Sequence, residues 1–169
     1  MARNTMKKIL LLITHAGALI VGVALGIYLL PILVEPESPG AEAITASQSG
    51  ALFSTEFKRD LKGSDFLHWG EGRLTLSASQ AVFEGELSPG PDYYLYLVPK
   101  FVEDEAGFLE IKSQSLQVGS VKTFGGFILD LPPNTDLQNY LAVTVQEIQE
   151  EAKNLFNRQQ ATTLFYLAN

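Results

Sequence analysis

The sequence predicts a mainly β protein: an antiparallel β-sandwich, or a partly closed barrel, with one short C-terminal helix and a single transmembrane helix in front. Three observations lead there. Residues 9–34 read ILLLITHAGALIVGVALGIYLLPILV, with only His15 able to carry charge near neutral pH. Beyond residue 50, short alternating runs such as RLTLS and AVFEGEL are separated by turn residues at intervals of roughly 8–12, the pattern of sandwiches and barrels. The chain has no cysteine, so a domain outside the cytoplasm must be held by its core instead of by disulfides.

The front comes first. Met1–Lys8 carries Arg3, Lys7 and Lys8 and no acid. The apolar run after it exceeds the roughly 20 residues that cross a bilayer and is much longer than the apolar region of a cleaved signal peptide. This favours an uncleaved signal anchor, although Ala41-Glu42-Ala43 resembles a cleavage site. Basic flanks stay inside, which predicts residues 1–8 in the cytoplasm, 9–34 across the membrane, and the rest periplasmic or extracellular. Residues 35–50, EPESPGAEAITASQSG, are rich in Pro, Gly, Ser, Ala and Glu and predict a flexible linker. The β domain is expected over 51–169.

Within it, ALFSTEF (51–57) is a short lead-in and Lys62-Gly63-Ser64-Asp65 a turn. Residues 73–77 and 81–87 alternate as strands, with Leu74 and Leu76 on one face and Ala81, Phe83, Gly85 and Leu87 on another. The turn cluster 88–92 leads into YYLYLV (93–98). There Tyr93, Leu95 and Leu97 should face one way, and Tyr94 and Tyr96 the other. Residues 103–107 predict an exposed loop, and 107–111, 116–121 and 127–131 short strands, the last closed by Pro132-Pro133. Residues 140–145 predict a strand. A short amphipathic helix comes next, because Val145, Ile148, Ala152, Leu155 and Phe156 recur at helical spacing. Residues 162–167 predict a closing strand.

Charge and composition exclude several functions. Three of the 12 Lys/Arg lie in the first eight residues; residues 35–169 keep nine Lys/Arg against all 19 Asp/Glu, a formal charge of −10. Such a surface repels phosphate backbones, so no nucleic acid is expected. Without cysteine there is no thiol nucleophile, thiolate metal site or thioether-bound haem. With two histidines, one of them in the apolar run, a histidine-rich metal site is excluded too.

The candidate site is weakly ligand-binding: His68 and Trp69 in SDFLHWGEG, with Asp92, Tyr94 and Tyr96 from the tyrosine stretch. A Ser-His-Asp set from Asp65, His68 and a serine, Ser64 or Ser77, lacks a nucleophile elbow, and Glu71 with Glu84 as a glycosidase pair lacks a cleft. No catalytic residue and no metal ligand is expected. The acid run Glu103-Asp104-Glu105 lacks EF-hand spacing and predicts a solvated loop. In the apolar run, Ala18, Gly22 and Gly26 form the small face that permits close helix approach, which raises a homodimer through that helix.

The order of these features resembles the DM-thirteen family, also called the electron-transfer DM domain. The matching residues are Gly63-Ser64, His68, Gly70-Glu71-Gly72, the stretch from Gly90 to Leu97, Gly119-Ser120-Val121-Lys122, Gly125-Gly126-Phe127, Leu131-Pro132, Tyr140, Val143, Val145, Phe156 and Ala161. They span 52–164. The resemblance implies a small exported β-sandwich and, for the family, electron transfer through a cysteine that follows a tryptophan. By position that pair falls on Gln146 and Glu147, so the resemblance brings the fold without the thiol. The expectation is therefore a non-catalytic, membrane-anchored binding module, without a cofactor, that engages another envelope protein. The alternative is a haem-binding or redox accessory of envelope electron transfer.

Overall fold

The computed structural model describes residues 2–59, 61–90, 93–102, 104–147 and 162–166. The chain forms two compact units, Met1–Val34 and Glu35–Asn169. The first is one helix, α1 (Ala2–Leu33). Its stretch Asn4–Leu33 has a mean hydropathy of 2.3 and buries nothing within the protein, so its length and composition suit a membrane crossing, as a signal sequence's also would. Two polar side chains inside it bond back to the helix backbone. Thr14 Oγ1 and His15 Nδ1 both donate to the Leu11 carbonyl, at 2.9 and 2.7 Å. Satisfying such groups within the helix is what hydrocarbon demands.

The second unit is a sandwich of two antiparallel four-stranded sheets. Its elements are α2 (Ala41–Ser47), β1 (Phe53–Phe57), β2 (Gly70–Leu76), β3 (Gln80–Leu87), β4 (Tyr93–Val98), α3 (Glu105–Ile111), β5 (Leu116–Val121), β6 (Phe127–Asp130), β7 (Ala142–Glu147) and β8 (Thr162–Tyr166). One sheet runs β1-β2-β3-β6 and the other β5-β4-β7-β8. The sheet edges abut, β1 beside β8 and β5 beside β6, which blunts the exposed edges.

The period-2 pattern builds the core. Leu74, Leu76, Ala81, Phe83, Leu87, Tyr93, Leu95 and Leu97 all point between the sheets and are buried, as the alternation predicts. Glycine shapes one corner. Gly72, at φ +146°, pairs with Gly85. A Cβ on Gly85 would come within 2.6 Å of Gly72 Cα and 2.8 Å of the Phe83 ring. The space is taken instead by Phe57, in register with Gly72 and packed 4.6 Å from Phe83, which in turn stacks on Phe127 at 5.1 Å. Aromatic rings thus cover the paired glycines that leave room for them.

Three predicted segments differ. Residues 107–111 are helical: α3 begins at Asp104, whose Oδ1 accepts the Gly107 N–H at 2.9 Å, and Phe108 and Ile111 are buried one turn apart. The N-cap bond and the i, i+3 pair prevail over the alternation read in GFLEI. Glu105 belongs to the same helix, so the expected loop is shorter. Residues 35–50, expected as a flexible linker, are packed on the domain. Glu35 Oε1 accepts the Phe124 N–H at 2.6 Å, α2 lies against β3 and β6, and Ile44 is buried. The lead-in is in fact strand β1. The predicted helix after Val145 lies outside the described residues.

Candidate functional site

The two sheets differ in what covers their outer faces. On the second sheet, Tyr96, Val98 and Ala142 face outward and are sealed beneath α3 by Phe108 and Ile111, with Val102 beside them. On the first, α2 covers only part. Val82 is buried under it, whereas Glu84 and Glu86, further along β3, are exposed. The uncovered part carries a row of charges across three strands: Glu56 opposite Arg73, and Arg73 opposite Glu84. Arg73 Nη2 stands 3.7 Å from Glu56 Oε1, and Gln48 of the α2 C-terminus donates to Glu84 Oε2 at 3.1 Å.

Beside this row lies a second cluster. The Arg59 guanidinium sits 3.3 Å above the Trp69 ring and its Nε donates to Glu71 Oε2 at 2.7 Å. Glu71 is opposite Glu86 in register, so Arg59 also offsets a like-charge pair. Between the row and this cluster lies an open groove of about 640 Å³ with Glu56, Lys58, Arg59, Glu71, Arg73 and Glu84 as its charged wall. Three cations face three carboxylates. Among the described residues that line it there is no hydroxyl, thiol or imidazole; its charges can pair with charged groups of a partner.

His68 and Trp69 are held at the mouth of β2. Asp65 Oδ1 accepts from the backbone N–H of Leu67 and His68, at 2.7 and 2.8 Å, and from His68 Nδ1 at 3.0 Å. Partial burial pushes the Asp65 carboxyl up, but the His68 side chain, the two backbone donors and the His68 charge together hold it below the usual aspartate value. Trp69 is locked to β3: its N–H donates to Ser88 Oγ at 3.0 Å and its carbonyl accepts the Ser88 N–H at 2.8 Å.

The remaining expected residues lie elsewhere. Tyr96 is only 2 % exposed, edge-on to Phe108 at 5.1 Å, with its hydroxyl on Gln117 Oε1 at 3.2 Å. Tyr94 packs against the same α3-covered cluster. His68 and Trp69 belong to the loop before β2 of the opposite sheet, so these aromatics are not gathered into one pocket. Asp92 lies outside the described residues. The Gly90 turn has a packing role, for a Cβ there would meet the Tyr93 ring, which folds back onto it. Asp65 and His68 do meet, but Ser64 Oγ is buried without a hydrogen-bond partner and completes no triad. Glu71 and Glu84 share the groove, each already engaged, by Arg59 and Gln48. Gly22 and Gly26 lie on open helix surface, with nothing within 4 Å of a built Cβ. No group of three metal-ligating side chains occurs among the described residues.

Sequence reasoning missed Arg59, Glu56 and Arg73. Glu56 and Arg73 alternate with inward residues along β1 and β2, and only register shows that they meet; Arg59 lies in the loop after β1, which no pattern places against Trp69. The chain matches no family model, no curated protein and no solved structure.

Proposed function

We propose that this chain is a membrane-tethered, extracytoplasmic binding module of the DM-thirteen type, with no catalytic role, that engages another envelope protein through the charged outer face of the β1-β2-β3-β6 sheet. The carrying observation is the asymmetry of the two outer faces: one is dry beneath α3, while the other leaves Glu56, Arg73 and Glu84 in an open row. Aligned charges of both signs favour a partner with the complementary pattern and give specificity more than raw affinity.

Retention of the anchor is supported by the packing of residues 35–47. Glu35 is bonded to Phe124, and Ala41-Glu42-Ala43 starts a helix whose Ile44 is buried. Cleavage there would strip a packed element from the domain. The alternative, a haem-binding or redox accessory, would have to work with Glu147 where the resemblance places the family cysteine, and with His68 already bonded to Asp65.

The cysteine-free chain allows a simple test. Full-length Glu56→Cys is exposed in intact cells to a membrane-impermeant maleimide, and membranes are then washed with carbonate. Labelling from outside and retention in the membrane pellet are expected. Labelling only after lysis, or release of the chain by the wash, would overturn the placement.

A further inference from the structure

The loop between β1 and β2 ends in a rigid turn with an apolar tip. The Asp65 N–H donates to the His68 carbonyl at 2.9 Å, and the Asp65 carboxylate gathers the Leu67 and His68 amides. This closes the turn and leaves Phe66 86 % and Leu67 41 % exposed.

The position of this turn is informative. Trp69, one residue past it, exchanges hydrogen bonds with Ser88; Leu87 N–H donates to the Phe124 carbonyl at 2.8 Å; Phe124 N–H donates to Glu35. The turn, the end of β3 and the β5–β6 loop therefore share one end of the sandwich with Glu35. Glu35 directly follows the apolar run in sequence. The loop 58–69 holds Lys58, Arg59 and Lys62 against Asp60 and Asp65, a formal charge of +1 in a domain of −10, although Arg59 is paired with Glu71 and Lys62 with Asp104. Exposed aromatic and aliphatic side chains on a loop that escapes the net acidity around it suit a segment that rests at the lipid interface.

We infer that Phe66 and Leu67 are a second, shallow membrane contact: a foot that enters the bilayer interface beside the point where the chain leaves it. This rests on the anchored reading above and adds to it, because a tether alone leaves the domain free to swivel whereas a tether and a foot fix which face it presents. The occupant is lipid; Phe and Leu supply the apolar insertion, and the net acidity of the domain argues against a purely electrostatic attachment to anionic lipid.

Three single-cysteine variants of the full chain, Phe66→Cys, Leu25→Cys in the apolar helix and Ser79→Cys at the other end of the sandwich, would be spin-labelled and reconstituted into phosphatidylcholine vesicles. Relaxation by dissolved oxygen is then compared with relaxation by a water-soluble nickel chelate. The oxygen-to-nickel ratio at position 66 is expected to exceed that at 79 several-fold and to approach that at 25. A ratio at 66 equal to that at 79, with 25 still lipid-like, would overturn the foot and leave the anchor standing. Shielding of position 66 from both reagents would mean that protein covers the tip, and would overturn the foot equally. A nickel-accessible label at 25 would remove the anchored reading and the foot with it.

Discussion

The outer faces of the two sheets make an informative pair. Both belong to the same sandwich and share one core, yet α3 closes one with Phe108 and Ile111, while α2 closes only half of the other with a single buried residue, Ile44. The part left open carries Glu56, Arg73 and Glu84. The difference teaches where stability and recognition are placed. Dry aromatic contacts stabilise irrespective of partner, whereas exposed ion pairs contribute little to folding and remain available for binding.

Substitutions should separate the two faces. The largest loss is expected from Phe108→Ala, which opens a cavity against Tyr96 and should cost about 3–5 kcal/mol in a urea melt of the detergent-solubilised chain. A loss below about 1 kcal/mol would mean that α3 does not seal this sheet. Ile44→Ala on the other face should cost about 2 kcal/mol, the low end for a buried isoleucine, because α2 buries nothing else. Tyr96→Phe removes the bond to Gln117 and should cost about 1 kcal/mol. Arg73→Ala, by contrast, should change stability by no more than about 0.5 kcal/mol. A large loss there would make the charged row a structural device and remove the reason to treat it as a binding face.

The smallest effect is local and depends on pH. The folded-state pKa of Asp65 is lowered, so its contribution is complete above the unfolded value of about 3.9 and is lost as pH falls through the folded value. The Asp65–His68 turn should therefore loosen only in acid below about pH 4, seen as faster exchange of the Leu67 amide. In Asp65→Asn that acid step should vanish. A step that survives the substitution would point to another carboxylate.

Strands β2 and β3 are legible because they alternate over at least five residues, as RLTLS and AVFEGEL do. The covering helices are not. GFLEI reads as a strand by alternation and as a helix by the Phe108–Ile111 spacing, and only Asp104 three residues before Gly107 hints at a cap. Ile44 alone in a stretch of small and polar residues makes no period at all, so α2 reads as linker. That gap carries into the site. Without α3, Tyr94 and Tyr96 read as a platform over water; with it, Tyr96 is interior. The alignment of Arg73 with Glu56 and Glu84, and the approach of Arg59 to Trp69, depend on register and on a long loop, which no local pattern encodes.

The two faces can be compared in a single measurement. A photo-crosslinking residue is placed in the full chain, in its native membrane, at Arg73 on the open face or at Glu110 on the exposed side of α3. The account predicts a discrete protein adduct from position 73, lost when Glu56 and Glu84 are both changed to lysine, and none from position 110. Equal adducts from both positions, or an adduct from 110 alone, would contradict it.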